Sequence, residues 1–535
     1  MLTHLSPRRK ALATLRARWG RPGDKLGYLA NRYFKLVRHQ APSKWVDDKT
    51  WDDLEFPEIF ARIDATVTPL GSQVLYARMR QYVDVPEALA ERYAEYAELA
   101  NDTTLREQIQ ARLWKLEYDG HAELAELLFG DRTEAPSHRF RIWAWSAASV
   151  AMLVLLALQV IPGWTWVAWL VANAVILIRV HDRQHREIDA MKRCIALIEV
   201  ADKLAALQRK YPSQSHLTRL HDDTPARTAV RKSLFWLSVL RWASNPALFV
   251  PPIIVGILNL LFLLELSVHA GTIERFFRIR QRLSATFELV GGIDAAIATA
   301  SFLQQHPNHC KPALTEDRLL SITEGRHPLL PQGIPNSIQL DGRSVLVTGS
   351  NMAGKTTFIK MLASNALLAQ TLGFCLATAA TIPDSTVMAS IHGAHSVASG
   401  KSHYFAEIEA IDGFIRSAAG DRIRILAIDE PFSGTNTIER IAVARAILEA
   451  LGSRAIVLVT THDVELQAML GGQYALFHFQ ENPDMDGYFD YTLRAGPATE
   501  RNAIRLLDRL GFPKEITANA MAYAGHSAAQ PNLSP

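Results

Sequence analysis

The run Val347-Thr348-Gly349-Ser350-Asn351-Met352-Ala353-Gly354-Lys355-Thr356-Thr357 restricts the fold of this chain more than any other part of it. It fits G-x-x-x-x-G-K-[ST], a loop whose glycines let the backbone approach phosphate oxygens. The pattern needs a strand before it and a helix after it. Ser344 to Thr348 is a short apolar run, as a buried strand requires, and Phe358 to Ala369 has helical apolar spacing. The N–H groups of the loop and of the helix N-terminus then face an anion. Lys355 is expected to reach the β- and γ-phosphates of ATP, with Thr357 beside it, and Thr356 to hold Mg2+. A glycine turn that binds nothing is the bland alternative.

A second group of residues agrees with the first. Ile425 to Ile428 is an apolar run that ends in Asp429 and Glu430. Asp429 fits the acid on the metal side of a nucleotide site. Glu430 fits the group that orients or deprotonates the attacking water. Ala455 to Thr460 reads as another buried strand and delivers Thr461, His462 and Asp463. A histidine at that strand end is placed to sense hydrolysis, although a lone histidine in a loop is more often an ordinary polar residue.

Five ordered elements extend the pattern: Gly325-Arg326-His327-Pro328, the phosphate loop, the ASGKSHYFAEI segment from Ala398 to Ile408, the DEPFSGTNT segment from Asp429 to Thr437, and Thr460-Thr461-His462-Asp463. On these residues the chain resembles the MutS family of mismatch-repair ATPases. The stretch Asn502 to Ala518 resembles the closing helices of that family's ATPase domain, and Ile63 to Leu75 the start of its lever domain. The resemblance implies an α/β P-loop NTPase domain of ABC-type ATPase fold, preceded by an all-α lever-like region. It also implies a homodimer in which Ser402 reaches the partner's nucleotide in trans; a plain helix-capping serine is the alternative. The chain departs from the family at His395-Ser396, at His403 and at Gly333, where an aromatic normally stacks on adenine. The family's mismatch reader carries a Phe-x-Glu motif in an N-terminal domain. The strings here, Phe56-Pro57-Glu58 and Phe405-Ala406-Glu407, stand in other contexts, so mismatch selectivity is not expected from them.

Apolar patterning adds a feature that this resemblance does not imply. Ile142 to Ile161 is uncharged and of membrane-spanning length, Pro162-Gly163 is a turn, and Trp164 to Ile178 is a second apolar run. Arg139 and Arg141 precede the first run, and Arg179, Arg183 and Arg186 follow the second. Positive charge at both outer ends argues for a transmembrane hairpin with both ends cytoplasmic. A buried core hairpin is the soluble alternative. A third run, Ala247 to Leu264, contains Pro251, Pro252 and Asn259. Either it pairs with Ser233 to Leu240 in a second hairpin, or it is re-entrant or interfacial.

The expected organisation is a basic helical lead-in over 1–45, lever-like helices over 46–138, a membrane region over 139–270, returning helices over 271–317, the ATPase over 318–525, and a disordered tail over 526–535. Net charge is +3 over 535 residues, which does not announce a nucleic-acid binder. The basic bias is local: residues 8 to 38 carry ten Lys and Arg against Asp24 alone. This segment suits DNA backbone, anionic lipid or plain solvation. Cys194, Cys310 and Cys375 are scattered and suggest a reducing compartment, and no signal peptide is visible. The expectation is a multi-pass membrane protein with its ATPase on the cytoplasmic side, acting as a DNA clamp, with a role in DNA mismatch repair implied by the resemblance. A membrane switch or scaffold acting on a non-DNA partner is the main competitor. An ABC transporter is disfavoured, because the signature reads ASGKSHYF and GTNT.

Overall fold

The structure, a computed structural model, describes residues 7–23, 29–117, 122–131, 139–212, 215–235, 239, 250–350, 353–391, 403–416, 422–432, 434–481, 489–497 and 512–528. The chain divides into two compact units. The first comprises residues 1–45, 60–79 and 94–305, and the second residues 46–59, 80–93 and 306–535.

The first unit is built of helices. Its central element is the long helix Leu264–Gln304, whose stretch Ile279–Gln304 is apolar and 89% buried. Burial on that scale identifies a core helix. Asp294 on this helix is fully buried and takes three hydrogen bonds, from Val67 N (2.9 Å), Thr68 N (2.7 Å) and Thr68 Oγ1 (2.7 Å). Those bonds compensate the carboxylate for lost water. Thr68 Oγ1 in turn accepts from Gly71 N at 2.9 Å, at the start of helix Pro69–Arg80. The stretch Ile63 to Leu75, which resembles the start of the lever domain, is therefore anchored on the long helix through Asp294. Gly71 is required there, since a Cβ would collide with the Asp294 carboxylate.

The same unit holds the apolar helices. Arg139–Ala157 contains the 18-residue stretch Phe140–Ala157, with mean hydropathy 1.7 and only 6% of it buried. Gly163–Ala205 follows as one 43-residue helix, apolar over Gly163–Arg179. The third run forms the helix Val250–Phe262, ended by Leu263 in left-handed backbone with φ 49°. Its last carbonyls do not go unpaired. Asn173, fully buried on the neighbouring helix, donates to Leu260 O and Leu261 O, both at 3.0 Å. Asn173 Oδ1 accepts Trp145 Nε1 at 2.7 Å, and Trp145 stacks on Trp169 at 4.3 Å. Side chains thus satisfy the polar groups of this helix junction, as apolar surroundings require.

The second unit is α/β. Its main sheet runs in the order β10-β9-β4-β8-β7-β6, where β4 is Ser344–Thr348, β6 Ser385–Ser390, β7 Ile423–Asp429, β8 Ile456–Thr460, β9 Tyr474–Glu481 and β10 Phe489–Ala495. All neighbours are parallel except β9 and β10. β4 and β8 are buried at every position, which explains their continuous apolar, β-branched sequences. A smaller sheet orders β1 (Ala313–Thr315), β5 (Ala379–Pro383), β2 (Leu319–Gly325) and β3 (Asn336–Asp341) as β1-β5-β2-β3.

β6 is the free edge of the main sheet, and segments from the N-terminal part of the chain close it. Val387 N donates to the Tyr82 hydroxyl (3.0 Å), Ala389 N to Thr50 Oγ1 (3.0 Å) and Ile391 N to Asp53 Oδ2 (2.9 Å). Alternate residues of a strand point their N–H groups to one side. Three side chains therefore satisfy the outer edge that would otherwise recruit another strand.

Candidate nucleotide site

The strand expected over 344–348 and the helix after the glycine loop are both present, the latter as Lys355–Thr371. Gly349 (φ 138°) and Gly354 (φ 102°) take backbone conformations that a side chain resists. A Cβ on Gly349 would also lie 2.5 Å from Phe479 O. The loop therefore depends on glycine at both positions.

Lys355 is folded back into this loop. Its Nζ donates to Gly349 O (2.8 Å) and Ser350 O (3.0 Å) and lies 3.3 Å from His462 Nε2. Burial pushes its ammonium down to about 8, against the opposing pull of Glu430 and Asp429. Thr356 Oγ1 lies 3.0 and 2.9 Å from the two oxygens of Asp429, and Thr460 Oγ1 donates to Oδ1 of the same carboxylate. A hydroxyl and a carboxylate at that separation form an all-oxygen donor pair, which fits Mg2+. The buried Ser350 Oγ has no hydrogen-bond partner among the described residues and lines the same cavity, so the loop offers an unused donor where a phosphate would sit.

Glu430 and His462 meet beside Lys355. His462 Nε2 lies 2.5 Å from Glu430 Oε1, within hydrogen-bonding distance. The loop holding His462 is braced: Arg440 forms a two-pronged ion pair with Asp463 at 2.9 and 2.7 Å. Arg440 comes from helix Thr437–Gly452, whose N-cap Asn436 accepts from Glu439 N at 3.0 Å. Glu430 (φ 46°) and Phe432 (φ 62°) hold left-handed backbone. Such strain costs roughly 1–3 kcal/mol per residue and tends to accompany functional geometry.

Ser350, Lys355, Thr356 and Glu430 among these groups line one cavity of about 610 Å3. Its lining combines Gly354, Lys355, Thr356, Thr357 and Glu430 with the apolar Phe358, Met361, Phe479, Tyr491 and Leu330, and includes Gly333. Its volume suits a nucleotide-sized ligand. The structure brings Gly349, Ser350, Ala353, Gly354, Lys355, Thr356, Thr357, Asp429, Glu430 and His462 into one neighbourhood. Asn351, Met352 and Ser402 lie outside the described residues, as does the whole of segment 398–402. The aromatic part of the lining was not anticipated from the sequence. Tyr491 and Phe479 supply aromatic side chains to a cavity whose lining includes Gly333. Asn336 fixes Tyr491 from β3, donating to its carbonyl at 3.0 Å while accepting from Leu493 N at 2.7 Å. The alternating aromatics Phe489 and Tyr491 were the available signal, but only the pairing of β10 with β9 brings them to the loop.

Comparison with known proteins matches the part of the chain that carries this site. A family model described as MutS domain V matches residues 345–526. The DNA mismatch repair protein MutS of Thermus thermophilus is 30% identical over 283 residues, covering 50% of this chain and 34% of that protein. The protein of the same name from Thermus aquaticus is 30% identical over 280 residues, with the same coverage. The one from Halalkalibacterium halodurans is 32% identical over 223 residues, covering 38% of this chain and 25% of its own length. The chain spans about a third of the length of the first of these relatives.

Proposed function

We propose that this chain, a member of the MutS family through its C-terminal region, is a membrane-anchored, dimeric ATPase whose turnover drives a lever acting on DNA. The observation that carries the ATPase reading is the convergence of Lys355, Thr356, Asp429, Glu430 and His462 beside the glycine loop, at a cavity that Lys355, Thr356 and Glu430 line together with Phe479 and Tyr491. In this reading the triphosphate lies in the glycine loop. Lys355 leaves the loop carbonyls and binds the β- and γ-phosphate oxygens. Thr356 and Asp429 hold Mg2+, which when bound neutralises phosphate charge. Tyr491 and Phe479 receive the base. Glu430 exchanges its contact with His462 for the attacking water, which it orients or deprotonates. His462, released from Glu430, then faces the γ-phosphate. Ser402 completes the partner's site in trans.

The membrane reading draws on the 18-residue apolar helix that stays exposed, on the Arg residues at the outer ends of the hairpin, and on the side-chain capping of Val250–Phe262 by Asn173. The orientation follows from chemistry: the nucleotide site must face cytoplasmic ATP. DNA is the partner suggested by the names of the relatives. A protein partner at the membrane is the second reading, and it draws on the same exposed helices.

The test is Glu430→Gln in the full chain. With the water-activating carboxylate gone, ATP turnover should stop while ATP binding persists, and an ATP-bound dimer should accumulate on sizing. Normal turnover by this variant would remove Glu430 from its role.

A further inference from the structure

Helix His403–Arg416 carries a carboxylate that lines no part of the nucleotide cavity, yet it is tied to the loop that does. Glu407 is 5% exposed, and its Oε1 accepts the N–H of Phe432. Phe432 stands two residues beyond Glu430, and both hold left-handed backbone. Residues with side chains keep that conformation only where neighbours hold it. Here two neighbours hold it from opposite ends. Thr460 accepts the Glu430 N–H through its carbonyl (3.1 Å) and its hydroxyl (3.2 Å), and Glu407 accepts the Phe432 N–H. Asp429, the residue before, is fixed separately by Thr356 and Thr460. Segment 429–432 is therefore held at its start by β8 and at its end by Glu407, together with the bond from Thr435 N to Phe432 O (3.4 Å) and the burial of the Phe432 ring. The charge that acts on Glu407 from another element is Lys49, which is paired with Asp53 at 2.5 Å, the residue whose carboxylate also holds Ile391 N at the end of β6.

We propose that Glu407 is a positioning residue of the hydrolytic site: it fixes the course of residues 430–432 and so aims the Glu430 carboxylate. This rests on the reading of Glu430 as the group that handles the attacking water. Without the Glu407 acceptor, the Phe432 N–H loses its partner and the left-handed pair relaxes. Glu430 then swings away from the water position, while Lys355 and the glycine loop keep their own bonds. Only an acceptor oxygen is required, so glutamine should serve almost as well as glutamate.

The experiment compares Glu407→Ala and Glu407→Gln with the wild-type full chain, by steady-state ATP turnover and by binding of a non-hydrolysable ATP analogue. Alanine should lower kcat on the order of tenfold to a hundredfold, the scale of a misplaced catalytic group, with analogue affinity little changed. Glutamine should restore kcat to within about threefold of wild type. An alanine variant with wild-type kcat overturns the inference. So does a folded glutamine variant as impaired as alanine, and this second variant decides the matter if alanine fails to fold. A wild-type chain that hydrolyses no ATP removes the functional reading itself, whereas turnover indifferent to residue 407 removes only this inference.

Discussion

Lys355 spends its ammonium on two carbonyls of its own loop, so its removal should loosen the loop as well as delete a phosphate contact. Lys355→Ala should abolish ATP turnover, and retained turnover in a coupled phosphate-release assay would sink the assignment of the loop. Under the proposed function Tyr491 contributes to binding and not to chemistry. Tyr491→Ala should raise KM about tenfold with kcat nearly unchanged, the pattern of uniform binding lost. Glu407 adds a pH dependence. Burial pushes its carboxyl from 4.5 up to about 7, so the folded chain keeps a proton that the unfolded chain releases. Its contribution to stability is complete below 4.5 and is lost as pH rises through about 7. Between about pH 5 and about pH 8 the wild-type unfolding temperature should therefore fall relative to that of Glu407→Gln, and parallel curves would refute the burial effect. At this scale the phosphate end was legible because Gly349 to Thr357 carry their chemistry in consecutive residues. Tyr491 was not, because its role depends on strand pairing that brings β10 to a loop far away in sequence.

β6 shows what patterning along the chain reveals about elements and what it leaves hidden. The central strands were readable because burial on both faces demands unbroken apolar runs, as in β4 and β8. The edge closure was not. Nothing in the spacing around Thr50, Asp53 and Tyr82 marks them as acceptors for N–H groups of residues 387–391, since side chain to backbone pairing leaves no periodic trace. Physically these bonds do two things: they satisfy buried donors and they deny the edge to another chain. The double variant Thr50→Val, Asp53→Ala should lose roughly 2–4 kcal/mol of stability, about 1–2 per orphaned donor, and should aggregate on heating. Thermal unfolding monitored with light scattering measures both effects, and a melting curve matching the wild type would show that water replaces these acceptors at no cost. The apolar helices give a parallel case. Their length could be read directly, but the use of Asn173 to cap Val250–Phe262 could not. An asparagine in an apolar run looks like an interruption until the helix end that it serves is seen.

Taken whole, the molecule joins an α/β unit that carries a phosphate-loop motif to a helical unit with an apolar surface, and the two predict different behaviour toward different partners. If the hairpin is embedded, the full chain should stay with membranes through a carbonate wash and through high salt, and should leave only in detergent. Release by salt would mean that the basic residues between 8 and 38 make the contact. Even these are partly committed within the protein, as Arg16 pairs with Glu107 at 2.5 Å. The partner question is then open to one measurement, binding of the detergent-purified chain to matched and mismatched duplexes with and without ATP. A clamp that tracks the DNA backbone should bind both duplexes equally, only in the presence of ATP, and with affinity falling steeply as salt rises, because phosphate contacts release counterions. That is the expected outcome, since base discrimination needs a wedge or a groove-reading group, and the Phe-x-Glu strings stand beside the lever start and within the helix after the signature. Preference for the mismatch would call for a reading element in the first unit. Absence of binding to either duplex, with ATP turnover intact, would reject DNA as the load and leave a membrane-bound switch whose motor is of MutS type and whose output is a protein.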